Sequence, residues 1–152
     1  MSTPTRRQLR FASLDEVMPE VERLLAGHAT VGAWSLGQIL DHLAFALDRV
    51  ARGPAASEPP TAEQQEVHRR FFAGDRFPDG IELPSAFSPP PNDDPGAAAE
   101  ALRAAIAAFA ARTAPFPAHP RLGPLTGEEW VKLHRMHCAH HLGFVVPTGA
   151  SS

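Results

Sequence analysis

The chain has a single cysteine, Cys138, in 152 residues. No internal disulfide can form, and such usage suits a reducing cytosol better than an oxidising compartment. No apolar run approaches the ~20 residues that a helix needs to cross a bilayer, so no membrane partner is expected. The stretch from Met1 to Arg10 is polar and basic, but no apolar core follows it. A secretory signal is therefore not expected, and the expected location is cytoplasmic. Neither sign of charge dominates: 14 Lys+Arg stand against 17 Asp+Glu, a net charge of −3. That balance gives no electrostatic reason to expect nucleic acid or an anionic membrane. Strand-like alternation never extends beyond a few residues, and no internal repeat is visible. There is no glycine-rich phosphate loop, no pair of catalytic carboxylates and no Ser-His-Asp arrangement, so no motif supports nucleotide or ordinary hydrolase chemistry.

Proline and histidine are plentiful. The chain carries 16 prolines and 8 histidines, and half of the histidines fall between His134 and His141. Apolar residues make up 43% and charged residues 20%, ordinary values for a globular protein. The length fits one domain, residues 1–152, able to bury roughly two-thirds of its unfolded surface.

Four main segments read as helices with marked starts. The first begins at Ser13 with Glu16 as its capping-box partner; Leu14, Val17, Val21, Leu24 and Leu25 follow helical spacing and Gly27 is the stop. The second begins at Ser35 with Gln38, has Trp34 and Ile39 at staple positions, and carries Ile39, Leu40, Leu43, Leu47 and Val50 to Gly53. The third has Asp94 as N-cap and Pro95 at the first helical position. It is alanine-rich and runs to about Arg112, with Leu102, Ile106 and Phe109 on its buried side. The fourth opens at Thr126 with Glu129, can staple Leu125 onto Trp130, and continues to about Phe144. Between the second and third lies a long Pro-rich connection, Gly53 to Asp94, in which Thr61 to Ala73 reads as a short capped helix. The expected fold is all-α, a four-helix bundle with a long Pro-rich loop containing a short helix between helices 2 and 3.

On the last helix His137 and His141 are four residues apart, hence one turn apart on one face. Two imidazoles so spaced can grip one ion, as in the zincin helix. The zincin general base is missing, because Cys138 and Ala139 follow His137, and the metalloprotease reading fails. A bundle site takes ligands from facing helices, and the second helix offers His42 inside its apolar stripe. Alone, His42 is more simply a hydrogen-bonded core residue, and an i, i+4 histidine pair is often surface decoration. Together the three are more persuasive, since burying unpartnered imidazoles is costly and a metal satisfies all three lone pairs. Three nitrogen ligands leave a coordination position open, as in catalytic sites.

The passages Leu9-Arg10-Phe11 with Ser13 to Glu16, Trp34 to Gln38 leading to His42, His119-Pro120 with Gly123, Glu129-Trp130, and His137 to Leu142 resemble the DinB/YfiT-like metalloenzyme superfamily, in an uncharacterised subfamily. They span nearly the whole chain, leaving out only the loop from Gly53 to Asp94. The resemblance implies a four-helix bundle holding a metal, commonly zinc or nickel, through His42, His137 and His141. It also implies transfer or isomerisation chemistry on a small molecule, involving a low-molecular-weight thiol in some relatives. Gly143 departs from the pattern, standing where a larger polar residue is expected, and so bears on the rim of the pocket.

Imidazole ligation suits Zn, Ni, Cu or Fe. An open position can acidify a water or a thiol and supply a nucleophile for transfer, isomerisation or hydrolysis. Gln38, one turn before His42, is the expected support for the ligands; His134 is a candidate fourth ligand or proton shuttle. Asp41 and Glu129 read as a solvated face and a cap, Cys138 as a packed thiol, His119 as an organiser of its proline-rich turn. His28 and His68 read as exposed residues. Phe71, Phe72, Phe77, Ile81 and Phe87 are candidates for the mouth of a pocket. The alternative function is a non-enzymatic metal- or ligand-binding, stress-response bundle that dimerises through its alanine-rich helix.

Overall fold

The computed structural model describes residues 5–74 and 89–148. Phe77, Ile81 and Phe87 lie outside the described residues. The fold is predominantly helical: α1 (Val17–Leu25), α2 (Leu36–Arg52), α3 (Ala62–Phe72), α4 (Pro95–Ala111) and α5 (Gly127–Leu142). Two short antiparallel pairs join them, β1 (His28–Thr30) with β4 (Val145–Pro147) and β2 (Ala118–His119) with β3 (Gly123–Pro124). These pairs amend the all-α expectation. Each is too short for alternation to show in sequence, and each closes a loop at a helix end.

The predicted boundaries hold where a capping box forms. Ser35 accepts from the Gln38 amide while Gln38 Oε1 accepts from Ser35 N, and the same reciprocal pair occurs at Thr61/Gln64 and Thr126/Glu129. Asp94 caps α4 with Pro95 following it. The box expected at Ser13 does not form. Ser13 makes no side-chain cap, Glu16 Oε1 accepts from Ala12 N at 2.8 Å, and a 3₁₀ turn, Leu14–Glu16, precedes α1. Pro19 explains this. Starting at Leu14 would put Pro19 deep enough to need the amide it lacks, whereas starting at Val17 leaves it in the first turn, where that amide has no partner. Leu25, expected on the buried stripe, is 39% exposed. α5 stops at Leu142, two residues earlier than expected, with Gly143 as its C-cap.

The principal helix contact is between α2 and α4. Their ends show that they run parallel. At the N-terminal end Ser35 Oγ donates to Asn92 O at 3.2 Å and Asn92 Nδ2 donates to Asp41 Oδ2 at 2.6 Å. At the C-terminal end Arg112 Nη1 donates to the Val50, Ala51 and Gly53 carbonyls at 3.0, 3.3 and 2.6 Å, closing groups that α2 leaves open. Parallel neighbours need a chain return along their length, so the long connection between them is a crossover. Small residues let the pair approach: Ala98, Ala99 and Ala105 are buried on α4, and a Cβ at Gly37 would lie 2.7 Å from Asn92 O. α5 runs antiparallel to α2. Its first turn meets Phe116, next to Pro117, which touches Gly53 at the end of α2, and its last turns meet the start of α2. Leu36, Leu40, Leu43, Leu47, Leu102 and Leu142 lie in the common core.

Candidate metal centre

His42 sits in the second turn of α2, at a depth set by the Ser35 cap, between the buried Leu40 and Leu43. His137 and His141 face it from the last two turns of α5. The three rings meet edge to face. Centroids are 4.9 Å apart for His42–His137, 4.7 Å for His42–His141 and 4.6 Å for His137–His141, with interplanar angles of 70°, 72° and 81°. One nitrogen from each ring lies within 4.8 Å of the other two. His42 Nε2 and His137 Nε2 are 3.1 Å apart. A tetrahedral ion with N ligands at 2.0–2.1 Å sets its nitrogens about 3.3 Å apart, so the cluster is close to ligating dimensions.

The electrostatics favour the ligating protonation state. Burial pushes His137 well below the ordinary histidine range, helped by His141 and His42. Burial likewise brings His141 down to about 3, with His42, His140 and Arg6 adding to it, and lowers His42. All three rings are therefore neutral at pH 7 and present lone pairs, as metal ligation requires. His42 Nδ1 is buried and meets no hydrogen-bond partner. The acceptor that usually orients a ligating imidazole is absent there among the described residues.

The predicted companions go elsewhere. Gln38 spends Oε1 on the cap and donates Nε2 to Pro89 O at 3.1 Å, so it ties the crossover to α2 instead of supporting His42. His134 is 1% exposed and outside the cluster; its ring stacks on Trp130 and meets Phe109 edge-on. Burial brings it down to about 3, and its Nε2 has no partner. It is a core histidine, as its place on the face turned to Trp130 and Phe109 dictates. Asp41, expected on a solvated face, binds Asn92. Glu129 is a cap through Oε1 and accepts from His68 through Oε2 at 2.6 Å; His68, expected to be exposed, is thus bound to α5. His28 Nδ1 is 3.1 Å from Leu24 O and half-buried. His119 orders its turn by accepting from the amides of Arg121 and Leu122. Burial pushes the Cys138 thiol up to about 12, so it is a packed thiol.

Trp34 and Gly143 bear on the site in ways the helix pattern did not signal. Trp34 sits where a staple would, yet its indole stacks on His141 at 5.6 Å and 13° and leans on His42 at 5.1 Å. At Gly143 any Cβ would overlap the Arg7 carbonyl oxygen, and Arg7 N donates to Gly143 O at 2.7 Å. The N-terminal segment crosses the end of α5 there, which is why a larger side chain does not fit.

The family described as a protein of unknown function, DUF1569, matches residues 3–148. The chain belongs to the DUF1569 family. The match covers the five helices of the described residues of this DUF1569 protein, and with them His42, His137 and His141. No curated protein and no solved structure matches the chain.

Proposed function

We propose that this DUF1569 protein is a metal-dependent enzyme whose divalent transition metal is held by His42, His137 and His141. The observation that carries the reading is the convergence of three neutral imidazoles from two helices within 4.8 Å. Imidazole donors favour zinc or nickel, with iron or copper as further occupants. When bound, the ion supplies Lewis acidity, acidifying a water or a low-molecular-weight thiol beside it. The chain's own contribution is to fix the ligands. The Ser35 cap sets the height of His42, the helical turn sets the His137–His141 spacing, and Trp34 shields one face of His141 from solvent. No side chain of the cluster is a nucleophile, and Cys138 is buried and protonated. A water or a thiol of the bound small molecule would then serve as nucleophile, in transfer, isomerisation or hydrolysis.

The parallel α2/α4 pair with its crossover, and a histidine early in α2 facing two late in α5, support a four-helix bundle of the DinB/YfiT type. We place it in the cytoplasm, where the unpaired Cys138 stays reduced. The alternative, a non-enzymatic dimer built on the alanine-rich helix, gains less support: Ala98, Ala99 and Ala105 are buried on α4, whose principal contact is α2.

Protein purified without a histidine tag is expected to carry about one equivalent of metal. A chelator should remove it and lower the melting temperature, because a ligand bound to the native state stabilises it. His42→Ala should abolish metal binding. Metal-free wild-type protein that takes up none on addition, together with unchanged stability in His42→Ala, would falsify the reading.

A further inference from the structure

Among the described residues, the cluster proposed above as a metal centre includes no carboxylate. Its three ligands are neutral imidazoles, and the rings against them, Trp34 and His140, bring none. A cation is held beside these rings. Arg6 Nη2 donates to His140 Nδ1 at 2.8 Å, and the His140 ring meets His141 at 4.9 Å. The guanidinium also lies over Phe144, 4.7 Å from its ring centroid. Neighbouring Arg7 is engaged with Glu20 and the Val145 carbonyl. Arg6 is exposed and makes no ion pair with a carboxylate among the described residues. A guanidinium has five donors in a fixed fork suited to carboxylates, and the contact with His140 uses one of its nitrogens.

A divalent ion and a guanidinium on adjacent histidines repel each other, and among the described residues no carboxylate pairs with Arg6. An anion reaching both removes that penalty. We infer that Arg6 recognises a carboxylate on the ligand of the His42–His137–His141 site, and that the ligand class is a small molecule carrying a metal-binding group and a separate carboxylate. The inference rests on the metal reading above. Trp34, stacked on His141 and half-buried, gives the site an apolar wall against which the ligand's carbon skeleton can lie.

The test uses cobalt(II)-loaded full-length protein, with thiolate-to-cobalt charge-transfer absorption as the readout. Two probes are titrated, 3-mercaptopropionate and the uncharged 2-mercaptoethanol. The ratio of their dissociation constants is compared between wild type and Arg6→Ala, so that the thiols' own acidities cancel. Arg6→Ala is expected to lower the preference for 3-mercaptopropionate about fivefold, the scale of one partly exposed charge pair, with cobalt stoichiometry unchanged. Arg6→Lys should retain part of it. High salt should erode the preference in wild type, a check that needs no variant. An identical ratio in Arg6→Ala, or a salt-independent one, overturns the carboxylate assignment and leaves the metal site standing. Cobalt binding with no response to either thiol overturns it as well. Wild-type protein that takes up no cobalt overturns the metal reading itself.

Discussion

At the scale of single residues, the histidines divide by what their rings touch, and His28 Nδ1 lies 3.1 Å from Leu24 O. His42, His137 and His141 face one another. His119 and His68 complete turn and helix contacts, His140 takes Arg6, and His134 lies between Trp130 and Phe109. His134 and His137 are three residues apart on α5, and their different fates come from small rotations about the helix axis. His134→Leu tests the division. Its Nε2 is buried without a partner, so replacing the ring by an apolar side chain removes a desolvation cost. Metal stoichiometry should be unchanged and the urea-unfolding free energy equal to wild type or about 1 kcal/mol higher. Loss of metal in this variant would return His134 to the ligand set.

Among the elements, the capping boxes decide where ligands stand. At Ser35 the box holds the α2 turn that leads to His42, and Ser35 Oγ also donates to Asn92 O, joining α2 to α4. Thr61 performs the same chemistry on α3, which carries no ligand. Ser35→Ala and Thr61→Ala should each cost about 1 kcal/mol of stability. Only Ser35→Ala should also weaken metal affinity, because it frees the end of the helix that positions His42. Equal metal affinity in the two variants would mean that packing, not the cap, holds His42 in place. The Ser13 case shows the limit of such motifs. The residues of a box were present, and Pro19 decided the helix start against them.

For the whole molecule, burial of histidine makes stability depend on acid. In the folded chain His119 is brought down to about 4 and His134 and His141 to about 3, chiefly by burial. Burial also lowers His42, His137 and His140. Unfolded histidines titrate near 6.5. Between these values the unfolded chain binds more protons than the folded one, so stability rises with pH there. It is complete above about pH 6.5 and is lost as pH falls toward 4 and then 3, at about 1.4 kcal/mol per pH unit for each ring that stays neutral only when folded. Urea midpoints for metal-free protein at pH 7 and pH 5 should show the fall, with His134→Leu less steep by one ring's share. A flat profile would mean that these rings are solvated in the folded chain.

The sequence by itself determined the helices, because capping residues, the Pro95 start and the apolar spacing are local physics that each segment carries alone. It also determined the His137–His141 pair, since one helical turn sets that geometry. Tertiary structure decided whether His42 reaches the pair, because that depends on α2 and α5 packing antiparallel with the start of α2 beside the end of α5. It alone turned Gln38 to Pro89, His134 into the core, Trp34 onto His141 and Arg6 toward His140. Each of those contacts joins residues whose meeting depends on how elements pack. Spacing along one helix says which residues share a face, and only the packed chain says what that face meets.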